Sequence, residues 1–377
     1  MAYIPVRCGN ETQPSGNDIA LNEAKVESYH EIERSTWNSR GWTFQDRLLS
    51  RRIVYFRRRS ISYECRYKGY HSEVGWRRDV PSWFSFSKTR LLQSVALEDP
   101  TISIEIIAPL HLYQNVKDFS RRFFTYRKDK LIAIEGLARR ISKGLLNRDL
   151  KDTYVSGLWK EHIEYGLLWS ISDENSSLAA RTANITPRNQ DMPLIPSWSW
   201  ASVEKPVHWL FFFRTTWSKY SGACFRVNWN ETKLSLAVCG HVFNVSVSEM
   251  QTDSTLYHDD HFIKFGPRPH GNLIYDTLQD AKHIGYCLLD GERDNSVQSC
   301  FALPIFWGRN GTPDNLFLLR IAGLLLHQTE ENPGEFRRIG LFWSGSVSLQ
   351  SEVSEILIAV RNALQDDSLT RPLLYLK

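Results

Sequence analysis

One segment decides the fold of the first part of this chain: Arg40-Gly-Trp42-Thr-Phe44-Gln45-Asp46-Arg47-Leu48-Leu49-Ser50-Arg51-Arg52. Large apolar and amide side chains recur in it at helical spacing, at Trp42, Gln45, Leu48 and Leu49. The pattern predicts a short helix over residues 41–49, with Trp42 and Leu48 buried on one face. A buried amide must find hydrogen bonds. We therefore expect Gln45 to act as a structural clasp on neighbouring backbone groups.

A β-hairpin is predicted directly after this helix. Residues 53–56 and 61–65 are β-prone runs, and the polar connection Arg57-Arg58-Arg59-Ser60 has a length that suits a hairpin. Farther along, apolar residues recur at helical spacing in three stretches, 107–126, 128–141 and 153–169. These stretches predict three further helices.

Beyond residue 205 the pattern changes to short β-branched or aromatic runs with a period of two. The runs lie at 224–229, 233–238, 241–247, 285–289, 317–321 and 337–342, and a closing helix is predicted over 354–364. The sequence thus predicts an α+β fold with a helix-rich first half carrying a β-hairpin, residues 1–204. An antiparallel β-rich C-terminal domain follows, residues 205–377, and we expect it to fold when separated from the first half.

Composition favours a soluble, globular protein. The 377 residues carry a net charge of +4, which lacks the strong positive excess of dedicated nucleic-acid binders. Six cysteines occur without a C-x-x-C pair, and the start lacks the apolar region of a signal peptide. We expect free thiols, a cytoplasmic location, no membrane partner and six unused N-x-S/T sequons. The thirteen tryptophans are expected mainly in the core, notably Trp42, Trp159, Trp169, Trp198 and Trp200.

The strongest local charge lies between residues 40 and 66, where eight arginines stand against two acidic residues. Guanidinium groups match phosphate oxygens in pairs, so this patch could hold an anion or a partner. Its candidate residues are Arg51, Arg57, Arg58 and Arg59. A solvated hairpin tip is the more ordinary interpretation. Nucleic-acid binding and a nucleotide-phosphate contact remain open.

No catalytic, cofactor or metal signature is evident in the sequence. The cluster His258-Asp259-Asp260-His261, with His270 nearby, has metal-binding residue types but lies in a polar stretch without a known ligand spacing. Neither a G-x-S-x-G elbow nor a phosphate-binding glycine loop occurs. We therefore expect no metal, no cofactor and no enzymatic activity.

The opening segment resembles the R-x-W-x-x-Q-E/D-R-x-L-S-x-R signature of the fungal HET (heterokaryon incompatibility) proteins. Its matching positions are Arg40, Trp42, Gln45, Asp46, Arg47, Leu49, Ser50 and Arg52. A second block is similar to the family's P-S-W-S-W-A-S element, and its matching positions include Pro196, Ser197, Trp198, Ser199 and Trp200. Residues 129–137, 157–169, 323–326 and 337–342 resemble further landmarks in the family's order.

The resemblance implies a role in fungal non-self recognition, in which fusion of incompatible cells triggers programmed cell death. The family's N-terminal L-S-Y-x-W-G strand, part of a TIR-like nucleotide-binding region, does not occur here. We therefore expect a truncated, non-catalytic HET-like protein that acts through other proteins and whose motif residues are structural rather than functional. The alternatives are a TIR-like effector that cleaves NAD or nucleotides and a nucleic-acid-binding protein that uses the basic patch.

Overall fold

A computed structural model shows an α+β protein with a large, mostly antiparallel sheet in its C-terminal part. It describes residues 31–56, 61–65, 69–72, 75–77, 112–113, 115–146, 153–172, 195–209, 222–223, 226–228, 235–240, 242–249, 271–276, 281–290, 299–310, 318–344, 347–348 and 373–377. The chain divides into two compact units, Met1–Leu92 and Gln93–Lys377.

In the described residues of the first unit, a helix precedes a four-stranded antiparallel sheet, and residues 31–33 are also helical. Helix α1 spans Gly41–Leu49. The strands follow in sheet order as β1 Arg52–Phe56, β2 Ile61–Cys65, β3 Gly69–Ser72 and β4 Gly75–Arg77. The expected helix and hairpin are thus confirmed, and strands β3 and β4 extend the hairpin into a meander.

The buried face of α1 differs from the predicted one. Gly41, Phe44, Arg47 and Leu48 are buried, whereas Trp42 is 45% exposed. The expectation for Leu48 is confirmed and the expectation for Trp42 is wrong. The difference arises because two sets of residues in this segment are spaced at the helical repeat, and the set with Phe44 and Arg47 is the one that is buried. Phe44 fills the inward position, and Arg47, a charged residue that periodicity assigns to solvent, is held inside by acidic partners.

The first part of the second unit mixes short helices and short strands. Residues 115–120 are helical, and helix α2 spans Asp129–Leu146. Strands β5 Tyr154–Val155 and β6 Leu158–Trp159 form a hairpin, followed by a 3-10 turn over Lys160–His162 and helix α3 Ile163–Gly166. Strand β7 Trp169–Ile171 then pairs with β8 Val207–Trp209.

The predicted helix over 153–169 is wrong, although the one over 128–141 is confirmed by α2. The chain reverses between β5 and β6 at Ser156 and Gly157, which have φ values of 46° and 96°. Left-handed backbone at two successive positions suits a tight hairpin turn and cannot continue a right-handed helix. Apolar spacing alone does not reveal such a turn.

Within the described part of the chain, the large sheet contains eleven strands. They are β9 Gly222–Ala223, β10 Arg226–Asn228, β11 Leu236–Cys239, β12 Phe243–Glu249, β13 Gly271–Asp276, β14 Ala281–Leu289, β15 Cys300–Asn310, β16 Leu318–Gln328, β17 Glu335–Ser344, β18 Val347–Ser348 and β19 Leu373–Leu376. Six of them pair in a closed cycle, β17-β14-β13-β12-β15-β16 and back to β17, all antiparallel. Strand β19 joins β17 in parallel.

Close approach of the strands requires glycine at three described positions of this cycle, Gly285, Gly323 and Gly340. A Cβ on Gly323 would lie 2.0 Å from the carbonyl oxygen of Leu303, and one on Gly285 would lie 2.1 Å from that of Trp343. Every β-prone run predicted after residue 205 overlaps an observed strand. The predicted closing helix over 354–364 lies outside the described residues. The domain boundary near residue 205 remains a prediction.

The described helices include none with both the length and the apolar character needed to cross a bilayer.

Candidate functional site

The motif arginine of the opening segment, Arg47, is only 3% exposed. Helix α1 directs it inward, where its Nη1 lies 2.7 Å from Oε1 of Glu33 and its Nε lies 3.2 Å from Oε2 of Glu64. Nη1 also donates to Oδ1 of Asn38 at 2.8 Å. One guanidinium therefore joins the segment before α1, the helix itself and strand β2.

Tyr55 completes this cluster from strand β1. Its hydroxyl donates to Oε2 of Glu64 at 2.6 Å, and its ring centre lies 5.9 Å from the guanidinium carbon of Arg47. Burial raises the pKa of Tyr55, the charge of Arg47 opposes the shift, and the carboxylate of Glu64 adds to it. The phenol therefore stays protonated and remains a hydrogen-bond donor.

The chemistry of this cluster, hereafter the Arg47 cluster, is that of a buried ion pair. The carboxylate of Glu64 is buried and faces both Arg47 and Tyr55, and Asn38 donates to both the backbone and the side chain of Glu33 at 3.1 Å. Removing Arg47 would take the ion pair away from the buried carboxylate of Glu64, which is strongly destabilising. The cluster therefore links the segment before α1, helix α1 and strands β1 and β2.

The other residues of the opening motif lie toward solvent. Arg40, Asp46, Arg51 and Arg52 are exposed, and Gln45, Leu49 and Ser50 are half-buried. The backbone N–H of Ser50 donates to the carbonyl of Asp46 at 3.1 Å and ends α1. The clasp role of Gln45 stays a prediction. Arg57, Arg58 and Arg59 lie outside the described residues.

The Pro196–Trp200 block belongs to the core of the second unit. Trp198, Ser199 and Trp200 are buried, and the Ser199 hydroxyl caps the 3-10 turn Trp200–Ser202 by accepting from the N–H of Ala201. The indole of Trp200 donates to the carbonyl of Gly157 at 3.0 Å. The core interpretation of the tryptophans is thus confirmed for Trp159, Trp169, Trp198 and Trp200.

Two further indoles are held in the same way. Trp169 donates from Nε1 to the carbonyl of Trp198 at 2.9 Å, and Trp209 donates to the carbonyl of Gly166 at 3.0 Å. Trp209 also stacks on Tyr113 with ring centres 4.6 Å apart. Large aromatic side chains thus supply both apolar area and polar ties to the irregular segments between short strands.

The most densely bonded side chain of this region, Arg338 on β17, was not singled out by the sequence. Its Nε donates to Oδ2 of Asp290 at 2.7 Å, its Nη1 donates to the carbonyl of Leu167 at 2.5 Å, and its Nη2 donates to the carbonyl of Trp169. Burial lowers its pKa, and the carboxylate of Asp290 opposes that shift. The sequence signal that could have identified Arg338 is its position in the alternating pattern of β17, where it falls among the inward-facing residues.

Ser197 connects the tryptophan block to the same strand. Its hydroxyl accepts from the backbone N–H of Arg338 at 3.0 Å and donates to the carbonyl of Lys377. The N–H of Ser197 also donates to Lys377, at 2.9 Å, and Lys377 in turn donates to the carbonyl of Phe336. The motif serine therefore links three segments through backbone groups.

Two groups of the second unit could in principle carry proton transfer. Lys130 is buried, donates to the carbonyl of Val203 at 2.6 Å, and has its pKa lowered to about 8 by burial, with a smaller contribution from Arg127. The Ser170 hydroxyl lies 3.2 Å from Nε2 of His208. Ser170, on β7, is fully buried, whereas His208, on β8, is half-buried.

Within the described ranges, no group of three His, Cys, Asp or Glu side chains is placed to hold a metal ion. The sequence cluster of residues 258–261 and His270 lies outside those ranges.

Comparison with known proteins finds no family model, no curated protein and no solved structure that matches the chain.

Proposed function

We propose that the chain is a non-catalytic HET-like protein of fungal non-self recognition, whose shared motif residues hold the fold together. The observation that carries this proposal is the Arg47 cluster. The motif arginine forms ion pairs with Glu33 and Glu64 inside the first unit, and its side chain is buried there.

The second motif supports the same role. Trp198 and Trp200 are buried, and Ser197 and Ser199 bond to backbone groups. Side chains used in this way position neighbouring segments of the chain. Resemblance in these positions therefore favours a shared architecture over a shared active centre.

The proposal has four further parts, which follow from the sequence and the resemblance. Residues 1–204 form a helix-rich core related to the HET domain, and residues 205–377 form a separate β-rich domain. The protein works in the cytoplasm, and its partners are other proteins. Its biological output is programmed cell death after fusion of incompatible cells.

Two assays test the proposal together. Expression in a filamentous fungus should cause uptake of a vital dye in fused compartments, because the protein takes part in incompatibility. The variant Arg47→Met should lose this effect through loss of folding, whereas Arg140→Met, at an exposed position of α2, should retain it.

The second assay incubates purified protein with NAD and separates the products. We expect no nicotinamide above the buffer background. Nicotinamide release that a point substitution in this chain abolishes would overturn the non-catalytic proposal in favour of a TIR-like effector. Dye uptake that is equal with and without expression would remove the link to incompatibility.

A further inference from the structure

The polarity of the β1–β2 hairpin departs from that of an ordinary half-buried sheet. Antiparallel sheets with one solvated face place apolar side chains inward and polar ones outward. Here the inward positions of β2 hold Ser62 and Glu64, both buried. The outward positions hold Val54, Phe56 and Ile61, which are 49%, 81% and 47% exposed.

The strand register makes these outward residues one continuous strip. Phe56 on β1 stands directly opposite Ile61 on β2, and Val54 lies two residues before Phe56. Side chains alternate along a strand and directly opposed residues share a face, so all three side chains lie on the same side of the hairpin. The strip reaches the end of the hairpin, where the strands are joined.

Positive charge lies at one end of the strip. Arg51 and Arg52 are exposed at the start of β1. Arg57, Arg58 and Arg59 lie outside the described residues, but the sequence places them in the four-residue connection between Phe56 and Ile61. The buried acid of β2, Glu64, is already paired with Arg47.

We propose that this hairpin surface, made of Arg51, Arg52, Val54, Phe56 and Ile61, docks on an anionic lipid surface. Apolar side chains of moderate size enter the boundary between headgroups and acyl chains, while guanidinium groups bind lipid phosphates and carboxylates. This contact lies outside the proposed function and replaces the expectation that the protein has no membrane partner. It requires no membrane-spanning segment.

Two other occupants fit the surface less well. A second copy of the chain would bring two arginine-rich hairpins together, and like charges oppose that contact. Nucleic acid would pair with the arginines and could stack on Phe56, but Val54 and Ile61 have no π face for a base. An anionic lipid interface uses both the charged and the aliphatic side chains.

The test is co-sedimentation of the full chain with vesicles. Vesicles of phosphatidylcholine and phosphatidylserine should bind the protein, and vesicles of phosphatidylcholine alone should bind it at least roughly tenfold less. The variants Phe56→Ser and Arg51→Ser/Arg52→Ser should each lower binding to the anionic vesicles roughly tenfold. Thermal melting of each variant verifies folding, and Val54→Ser provides a second apolar variant.

Matched controls come from α2 in the second unit. Ile132→Ser removes an exposed apolar side chain, and Arg139→Ser/Arg140→Ser removes two exposed charges. Both controls should bind vesicles as the unmodified chain does. The proposal is overturned by absence of binding to anionic vesicles, by equal binding to neutral ones, or by equal losses in the controls.

A parallel titration with duplex DNA separates the remaining case. DNA binding that the arginine variant abolishes and Phe56→Ser leaves intact, together with no vesicle binding, would assign the surface to nucleic acid instead. The vesicle assay is independent of dye uptake and nicotinamide release, so its failure would leave the proposed function standing.

Discussion

The guanidinium carbon of Arg338 lies 3.5 Å from the centre of the Trp169 ring, on which it stacks while bonding to the backbone on either side of Leu168. This contact joins strand β17 of the large sheet to strand β7. The two strands lie on opposite sides of residue 205, where the sequence predicts a domain boundary. We therefore expect a fragment of residues 205–377 to melt at a lower temperature than the full chain.

We expect the contacts of Arg338 to contribute a large part of the stability of the second unit. Arg338→Met removes the ion pair to the part-buried carboxylate of Asp290 and the bonds from Arg338 to two backbone carbonyls, so we expect a loss of about 3–5 kcal/mol in the free energy of unfolding. Arg337→Met is the control, because Arg337 is the exposed neighbour on the same strand. Urea denaturation measures both. Equal losses of unfolding free energy in the two variants would show that the contacts of Arg338 contribute no more than those of its exposed neighbour.

Because Phe44 is buried and Trp42 is exposed on α1, we expect substitutions of these two residues to differ in their effect on stability. Phe44→Ala empties a buried site and should cost about 3–5 kcal/mol in the free energy of unfolding. Trp42→Ala should cost only about 1–2 kcal/mol, because nearly half of that side chain is exposed. Chemical denaturation of both variants provides the measurement. A larger loss for Trp42→Ala would restore the face predicted from periodicity.

The turn between β5 and β6 should depend on glycine. At Gly157 φ is +96°, and a Cβ there would lie 2.5 Å from Nε1 of Trp200. We expect Gly157→Ala to cost about 1–3 kcal/mol from backbone strain, and more if the indole loses its bond to the Gly157 carbonyl. Gly334→Ala is the control, since a Cβ at Gly334 meets no atom within 4 Å. A control that melts as low as Gly157→Ala would contradict this account.

Lys130 predicts a specific pH dependence of stability. Its pKa in the folded chain is lowered to about 8, below the ordinary 10.5 of the unfolded chain. Between these values the unfolded state holds the proton and the folded state has released it, so stability rises with pH through this window. Below pH 8 the burial penalty is constant, because Lys130 is charged in both states.

The measurement compares the full chain with Lys130→Met from pH 8 to pH 9.5. The stability of the full chain relative to the variant should rise by up to about 1.4 kcal/mol per pH unit. Lys128→Met, at an exposed position two residues earlier, is the control for loss of a lysine charge from this segment. A flat or falling difference for Lys130→Met would refute the lowered pKa.

Local patterns in the sequence were sufficient for much of the fold. The helix over Gly41–Leu49, the hairpin after it and the strands β11, β12, β14, β16 and β17 follow from spacing and β-branched content. Local patterns failed at Ser156 and Gly157, where one tight turn replaces a predicted helix. They also missed β15, in which Pro304 interrupts the strand pattern at a register shift.

The candidate sites were predictable only in part. The sequence could mark Arg47 and Ser197 as motif residues and could favour burial of the Trp198 and Trp200 indoles. It could not show that Arg47 is buried, because its partner Glu64 lies on another element. Arg338 escaped notice for the same reason, since its partners Leu167 and Trp169 lie about 170 residues away in sequence. Long-range partners decide whether a charge is buried.

The pair Arg47 and Glu64 tests most directly the claim that the motif residues hold the fold. Arg47→Met alone should lower the free energy of unfolding by about 3–5 kcal/mol, because it takes the ion pair away from the buried carboxylate of Glu64. Arg47→Met/Glu64→Gln removes that charge while keeping an acceptor for the Tyr55 hydroxyl.

Denaturant unfolding of the two single variants and the double variant completes the cycle. We predict that the double variant is more stable than Arg47→Met alone by at least about 1 kcal/mol. The coupling energy is then at least about 1 kcal/mol plus the loss caused by Glu64→Gln alone, as expected for residues in contact. If the two single losses instead add up in the double variant, Arg47 and Glu64 do not form a structural tie, and the account of this motif is wrong.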